Sequence, residues 1–110
     1  MRRGWRPFTE VEGFEWDEHN AAKIRQRHGV LPSECEEVLT GSPRVVPDRD
    51  HSADEARHVA FGATTTGRRL AIVFTIRGRR LRVITARDQS RKERRELEHA
   101  KEAQEDSPLS

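Results

Sequence analysis

Apolar residues recur along this chain with two different periods, and the change from one to the other divides it. Ala21 and Ile24, with His28 beyond them, fall on one face of a helix that starts after Asp17. The Asp17 carboxylate is suited to take the free N–H groups of the first turn, and Gly29 to end the helix in a left-handed conformation. Leu31, Cys35, Val38 and Leu39 then stand at i, i+4, i+7 and i+8, the stripe of a second helix. Pro32 suits its first position, where no N–H is missed, and Glu34, Glu36 and Glu37 favour the positive end of its dipole. Cys35 lies on the stripe and reads as packed rather than reactive. Gly41-Ser42-Pro43 ends this helix, and Gly13-Phe14-Glu15-Trp16, ahead of the first, reads as a short strand.

Beyond Pro43 the period becomes two. Arg44-Val45-Val46 reads as a short strand, followed by a polar loop from Pro47 to Glu55. Arg57–Ala63 alternates with Val59 and Phe61 on one face, and Thr64–Gly67 is a turn. Leu70–Ile76 is apolar on both faces, the mark of a central strand. Arg77-Gly78 makes a tight hairpin, and Arg80–Arg87 returns with Leu81 and Val83 facing one way and Arg80 and Arg82 the other, until Ile84 and Ala86. Ser90-Arg91-Lys92-Glu93 is a capping box that opens a last helix, with Leu97, Ala100 and Ala103 as its apolar positions. The expected fold is α+β, in the order β-α-α-β-β-β-β-α: two N-terminal helices and a C-terminal helix packed on a small antiparallel sheet. Residues 1–12 read as a tail, 13–100 as a single domain and 101–110 as a frayed end.

Composition narrows the classes. The 110 residues suit one domain, and with 33% apolar against 36% charged residues the core must come from a few segments, chiefly Val59 to Ala86. A single cysteine excludes an internal disulfide and a Cys-rich zinc site. No apolar run approaches the roughly 20 residues of a membrane span, and the opening Met1–Pro7 lacks the apolar stretch of a secretory signal. The expectation is a cytoplasmic protein with no membrane partner.

Charge changes the picture most. The net of +2 hides a block, residues 56–95, with 12 Lys/Arg against two acids, while the rest of the chain has nine against 17. Such a block points to a polyanion; the plainer alternative is a solvated, highly charged surface. Arg87 ends a central strand, and Arg91, Lys92, Arg94 and Arg95 crowd the first turns of the last helix, where cations are disfavoured by roughly 0.3–1 kcal/mol each. Their concentration there suits a phosphate site better than a solvated face relieved by Glu96 and Glu98. His58 is the candidate proton carrier, although alternation turns it away from Arg57. His28 is better suited to capping or packing. Asp48, Asp50, Ser52 and Asp54 superficially suggest a calcium loop, but Ala53 stands for the required glycine and Val59 for the closing glutamate. Thr64–Gly67 lacks the lysine and helix of a nucleotide loop. No metal or cofactor is expected.

Several stretches together resemble one family. Trp16-Asp17, then His28-Gly29-Val30 after a helix, looks like the opening of BrnT toxins, and Glu34 to Leu39 resembles their acidic second helix. Gly67–Thr75 is similar to their central strand, and Arg82–Arg87 followed by Arg91-Lys92-Glu93-Arg94 to their ending. The resemblance, over about residues 13–97, implies a RelE-like fold and metal-independent RNA cleavage as the toxin of a bacterial type II toxin–antitoxin pair. It further implies a tightly bound BrnA-like antitoxin with a ribbon-helix-helix domain, with operator DNA contacted only through that antitoxin. The family's functional basic positions correspond to Arg57 and Arg87, then Arg91 and Arg94. The chain departs from the family pattern in having Asn20 in place of a common lysine, His58 in place of an aromatic residue, Ile76 in place of an acid, and no tyrosine.

The site expected on these grounds has Arg57, His58, Arg87 and Arg91 at the chemistry, and Arg80, Arg82, Lys92, Arg94 and Arg95 holding RNA. A catalytically degenerate toxin fold, surviving as a binding partner or co-repressor of a DNA-binding protein, is the alternative. A free-standing RNA-binding protein lacks surface aromatics on which bases would stack.

Overall fold

A computed structural model of the chain describes residues 11–48 and 55–105, the last five of these as backbone only. The expected tail before residue 11, most of the loop after Pro47 and the end beyond residue 105 lie outside the described residues. The elements follow the expected order: β1 Gly13–Glu15, α1 Glu18–His28, α2 Pro32–Thr40, β2 Arg44–Pro47, β3 Arg57–Ala63, β4 Arg69–Arg77, β5 Arg80–Asp88 and α3 Arg91–Glu105. The last helix thus runs five residues past the expected domain boundary.

The strands form one sheet in the order β1-β5-β4-β3-β2. It is antiparallel except at one edge, where β1 pairs parallel with β5 through Gly13↔Arg80, Phe14↔Leu81 and Glu15↔Arg82. Between Val73 and Phe74 the β4–β5 register shifts: Val73 faces Thr85 and Phe74 faces Val83, which leaves Ile84 as the extra residue of a bulge. β1 ends before this point, and α1 takes its place beside β5. Asn20 Nδ2 donates to the carbonyls of Val83 (2.7 Å) and Ile84 (3.2 Å), so the helix satisfies backbone acceptors at the bulge.

The local signals explain the helices. Asp17 Oδ1 accepts from His19 N at 2.9 Å, and Gly29 closes α1 at φ 65°. Leu31 departs from expectation: it is the N-cap of α2 and 42% exposed, outside the core stripe. Glu34 Oε1 accepts from its N–H at 2.9 Å, which serves an end that leucine's side chain cannot cap. His28 is likewise exposed.

One face of the sheet is closed by α1 and α2. Ile24, Val30, Cys35, Val38 and Leu39 pack there on Ala60, Leu70, Ile72, Phe74, Leu81, Val83 and Ala86, all buried. At β3 the approach of α2 is close. A Cβ built on Gly62 would lie 2.9 Å from Val38 Cγ1, so only glycine fits without displacement. Trp16 Nε1 donates to Glu36 at 2.8 Å and ties the end of β1 to α2. Arg68 joins α1, α2 and two strands: it donates to the His28 and Gly29 carbonyls (3.1 and 2.8 Å), to Glu34 (3.2 Å) and to both oxygens of Asp88 (2.8 and 3.2 Å).

Candidate functional site

The opposite face of the sheet carries the candidate chemistry. Register puts Arg57, Thr75, Arg82 and Glu15 in one row across β3, β4, β5 and β1. A parallel row holds Arg44, Phe61, Ala71 and Arg87. The two rows lie four residues apart on β4, roughly 13 Å along the strand. Val46, Val59, Val73 and Thr85 form the partly exposed floor between them. α3 crosses this face from the Arg87 end, where Leu97 and Ala100 border a groove with Val46 and Phe61.

At the open end, Arg57, Arg77, Arg80 and Arg82 share the face by register. Arg82 donates to Glu15 at 3.1 Å and lies 3.6 Å from Asp17. Arg77 makes two 3.2 Å hydrogen bonds to Glu55. Those bonds, with Arg57 and Arg82 nearby, hold the Glu55 carboxyl below its ordinary range, so it is ionised at neutral pH. Thr75 is buried beneath the row and donates from Oγ1 to the Ala56 carbonyl at 2.8 Å.

At the other end, Arg87 donates to both oxygens of Glu93 at 2.8 Å and to the Asp88 carbonyl at 3.1 Å. Glu93 Oε1 also accepts from Ser90 N at 2.8 Å, while Ser90 Oγ accepts from Glu93 N at 3.1 Å, the capping box read in the sequence. The Arg87 hydrogen bonds hold the Glu93 carboxyl down to about 2. Arg91, Lys92 and Arg95 are exposed on the first turns of α3, and Arg94 lines a groove with Phe61, Gln89 and Leu97.

The structure therefore brings Arg57, Arg80, Arg82 and Arg87 to one face, the first three toward one end and Arg87 at the other. Arg94 lines a groove near the Arg87 end, while Arg91, Lys92 and Arg95 are exposed on α3 with no contact that joins them to Arg87 among the described residues. The structure does not bring His58 to that face. His58 pairs with Phe74 in the β3–β4 register and stacks on its ring at 5.6 Å between centroids, on the face turned toward α1 and α2. Burial pushes its pKa down, which disfavours the imidazolium. The expected proton carrier is thus separated from Arg57 by the strand itself, as the alternation of side chains dictates.

The segregation of charge along the chain is partly cancelled in space. Arg68, Arg77, Arg79, Arg82 and Arg69 pair with Glu34, Glu55, Glu12, Glu15 and Glu98, acids that all lie outside the basic block. Sequence reading missed Glu55, Glu15 and Glu93 as members of the site. The capping-box spacing marked Glu93 as helix-starting but carried no sign of its arginine.

The sheet face that α1 and α2 leave uncovered is thus lined by arginines. Residues 16–93 match the family described as the ribonuclease toxin BrnT of type II toxin–antitoxin systems. The crystal structure of the Brucella abortus ribonuclease toxin BrnT is similar at 27% identity, over 72% of this chain and 97% of that one, with a TM-score of 0.56. No curated protein matches the chain. The chain belongs to the BrnT family. Among the described residues, no helix is long and apolar enough to cross a membrane.

Proposed function

We propose that this chain is the toxin of a type II toxin–antitoxin pair, an endoribonuclease that cuts RNA on the open sheet face without a metal ion. The observation that carries the reading is the placement of Arg57, Arg82 and Arg87 on one face that α1 and α2 leave uncovered. RNA supplies its own nucleophile, the 2′-hydroxyl next to the scissile phosphate. The protein's main task is then to stabilise charge on the phosphorane, and fixed guanidinium groups do this by hydrogen bonding and field. The two arginine rows, roughly 13 Å apart along β4, suit different phosphates of one strand laid across Val59 and Val73. Arg91, Lys92, Arg94 and Arg95 add long-range attraction, and His58 has no part in the chemistry.

Family membership supports an antitoxin partner, and by the same likeness one of the BrnA kind, whose ribbon-helix-helix domain would carry the pair to operator DNA. The cytoplasm, where RNA is translated, is the compartment in which such a toxin acts. The test is cleavage of RNA by purified protein in EDTA, beside Arg57→Ala and Arg87→Ala. Cleavage by the wild type that either substitution abolishes supports the reading; an inert wild type under conditions where a related toxin cuts would sink it. The ion pairs that occupy Arg82 and Arg87 favour a second reading, a toxin fold kept as a binding partner or co-repressor. That reading requires intact antitoxin binding with no cleavage.

A further inference from the structure

Arg87 is both immobilised and incompletely used. A guanidinium has five N–H donors. Nη1 places one on Glu93 Oε1 and one on the Asp88 carbonyl, and Nη2 places one on Glu93 Oε2. The Nε–H and the second Nη2–H, which share the other edge of the plane, have no hydrogen-bond partner among the described residues. They project in parallel, the spacing that matches two oxygens of a phosphate. The side chain is 45% exposed, which leaves room for a ligand beside it. Arg68 shows the contrast: Nε, Nη1 and Nη2 are all engaged by Asp88, Glu34 and the His28 and Gly29 carbonyls, which makes it a structural clamp.

We propose that Glu93 is a positioning residue: together with the Asp88 carbonyl it turns the Arg87 guanidinium so that its Nε–H and Nη2–H present a phosphate fork. The inference rests on the RNA reading above. Glu93 is suited to the task because it is itself fixed at the start of α3, by Ser90 at 2.8 and 3.1 Å. Its charge does not close the site to an anion. Arg91, Lys92, Arg94 and Arg95 follow on the same turns without an ion pair among the described residues, and the carboxylate occupies the guanidinium edge away from the fork.

The test is binding of a 2′-O-methyl RNA oligonucleotide, which cannot be cut, by fluorescence anisotropy. Arg87→Lys keeps the charge and loses the fork, and is expected to bind about tenfold more weakly. Glu93→Gln preserves the capping box, since glutamine serves there too, and thermal melting checks its fold. It is expected to bind more weakly than wild type even though a negative charge has been removed. On an Arg87→Ala background the same Glu93→Gln change is expected to tighten binding, because only the charge effect remains. Tighter binding by Glu93→Gln with Arg87 present would make Glu93 a competitor of the phosphate, and wild-type affinity in Arg87→Lys would make Arg87 a point charge; either overturns the proposal. These binding shifts without cleavage would sink the ribonuclease reading alone. Cleavage with unshifted binding would sink this inference alone, and no binding by the wild type would sink both.

Discussion

Arg68 and Asp88 meet through paired hydrogen bonds of 2.8 and 3.2 Å where β4 begins and β5 ends, and the same guanidinium holds the two carbonyls that close α1. Arg68→Ala leaves those carbonyls, Glu34 and Asp88 without their donor, at an expected cost of about 1–3 kcal/mol. Its neighbour Arg69 pairs with Glu98 at a site where both side chains are about half exposed (47% and 59%). Arg69→Ala is expected to cost less than about 1 kcal/mol. Urea unfolding of the two variants checks the contrast, and equal losses would refute the clamp.

Gly62 is expected to resist even alanine. Its added Cβ meets Val38 Cγ1 at 2.9 Å and Pro43 Cβ at 3.4 Å, between a strand and a packed helix. Gly62→Ala should lose about 1–3 kcal/mol by overpacking. Gly13→Ala, where nothing lies within 4 Å, is the control and should be close to neutral by the same measurement.

Glu93 makes stability depend on pH with a definite sign. Its carboxyl sits near 2 in the folded chain against an ordinary 4.5, so the folded state binds the proton less readily than the unfolded state. The stabilisation is complete above about pH 4.5 and is lost as pH falls toward 2. Screening at this partly exposed pair reduces it to about 1–2 kcal/mol at neutral pH. Glu93→Gln should therefore trail the wild type in denaturant midpoint at pH 7 and approach it near pH 2. A gap that stays constant across that range would show that the pair contributes nothing through ionisation.

Cys35 is fully buried, and burial, aided by Glu34 and Glu36, pushes its thiol up to about 12. At pH 8 the thiolate fraction is then on the order of one in ten thousand. A chromogenic disulfide reagent should titrate no thiol in the native protein and one per chain in urea. Rapid native labelling would mean that α2 opens.

Much of this was legible in the residues, for reasons that differ from element to element. Asp17, Gly29, Pro32 and the Ser90–Glu93 box carry their signals within a few positions, and the helices begin and end beside them. The turning of His58 away from Arg57 followed from alternation alone. The parallel pairing of β1 was not legible, because three residues carry no mark of a partner 67 positions away. Nor did anything local distinguish Arg68, a clamp with its donors committed, from Arg87, which keeps an edge for a ligand. Both belong to one basic run, and only register decides which acid each meets.

The bulge at Ile84 has a further consequence. Arg82 and Arg87 are five positions apart, an odd interval, and in an unbroken strand an odd interval sends two side chains to opposite sides. The extra residue resets the phase, so that both arginines emerge together while Asp88 turns to the other side of the strand, where it meets Arg68. Asn20, gripping the Val83 and Ile84 carbonyls, acts as the pin of that phase change. Excising Ile84 alone would invert everything after it: Arg87 would turn to the side of α1 and α2, and Asp88 away from Arg68. The polarity of the face is thus written in a single unit of chain length as much as in the identity of any arginine.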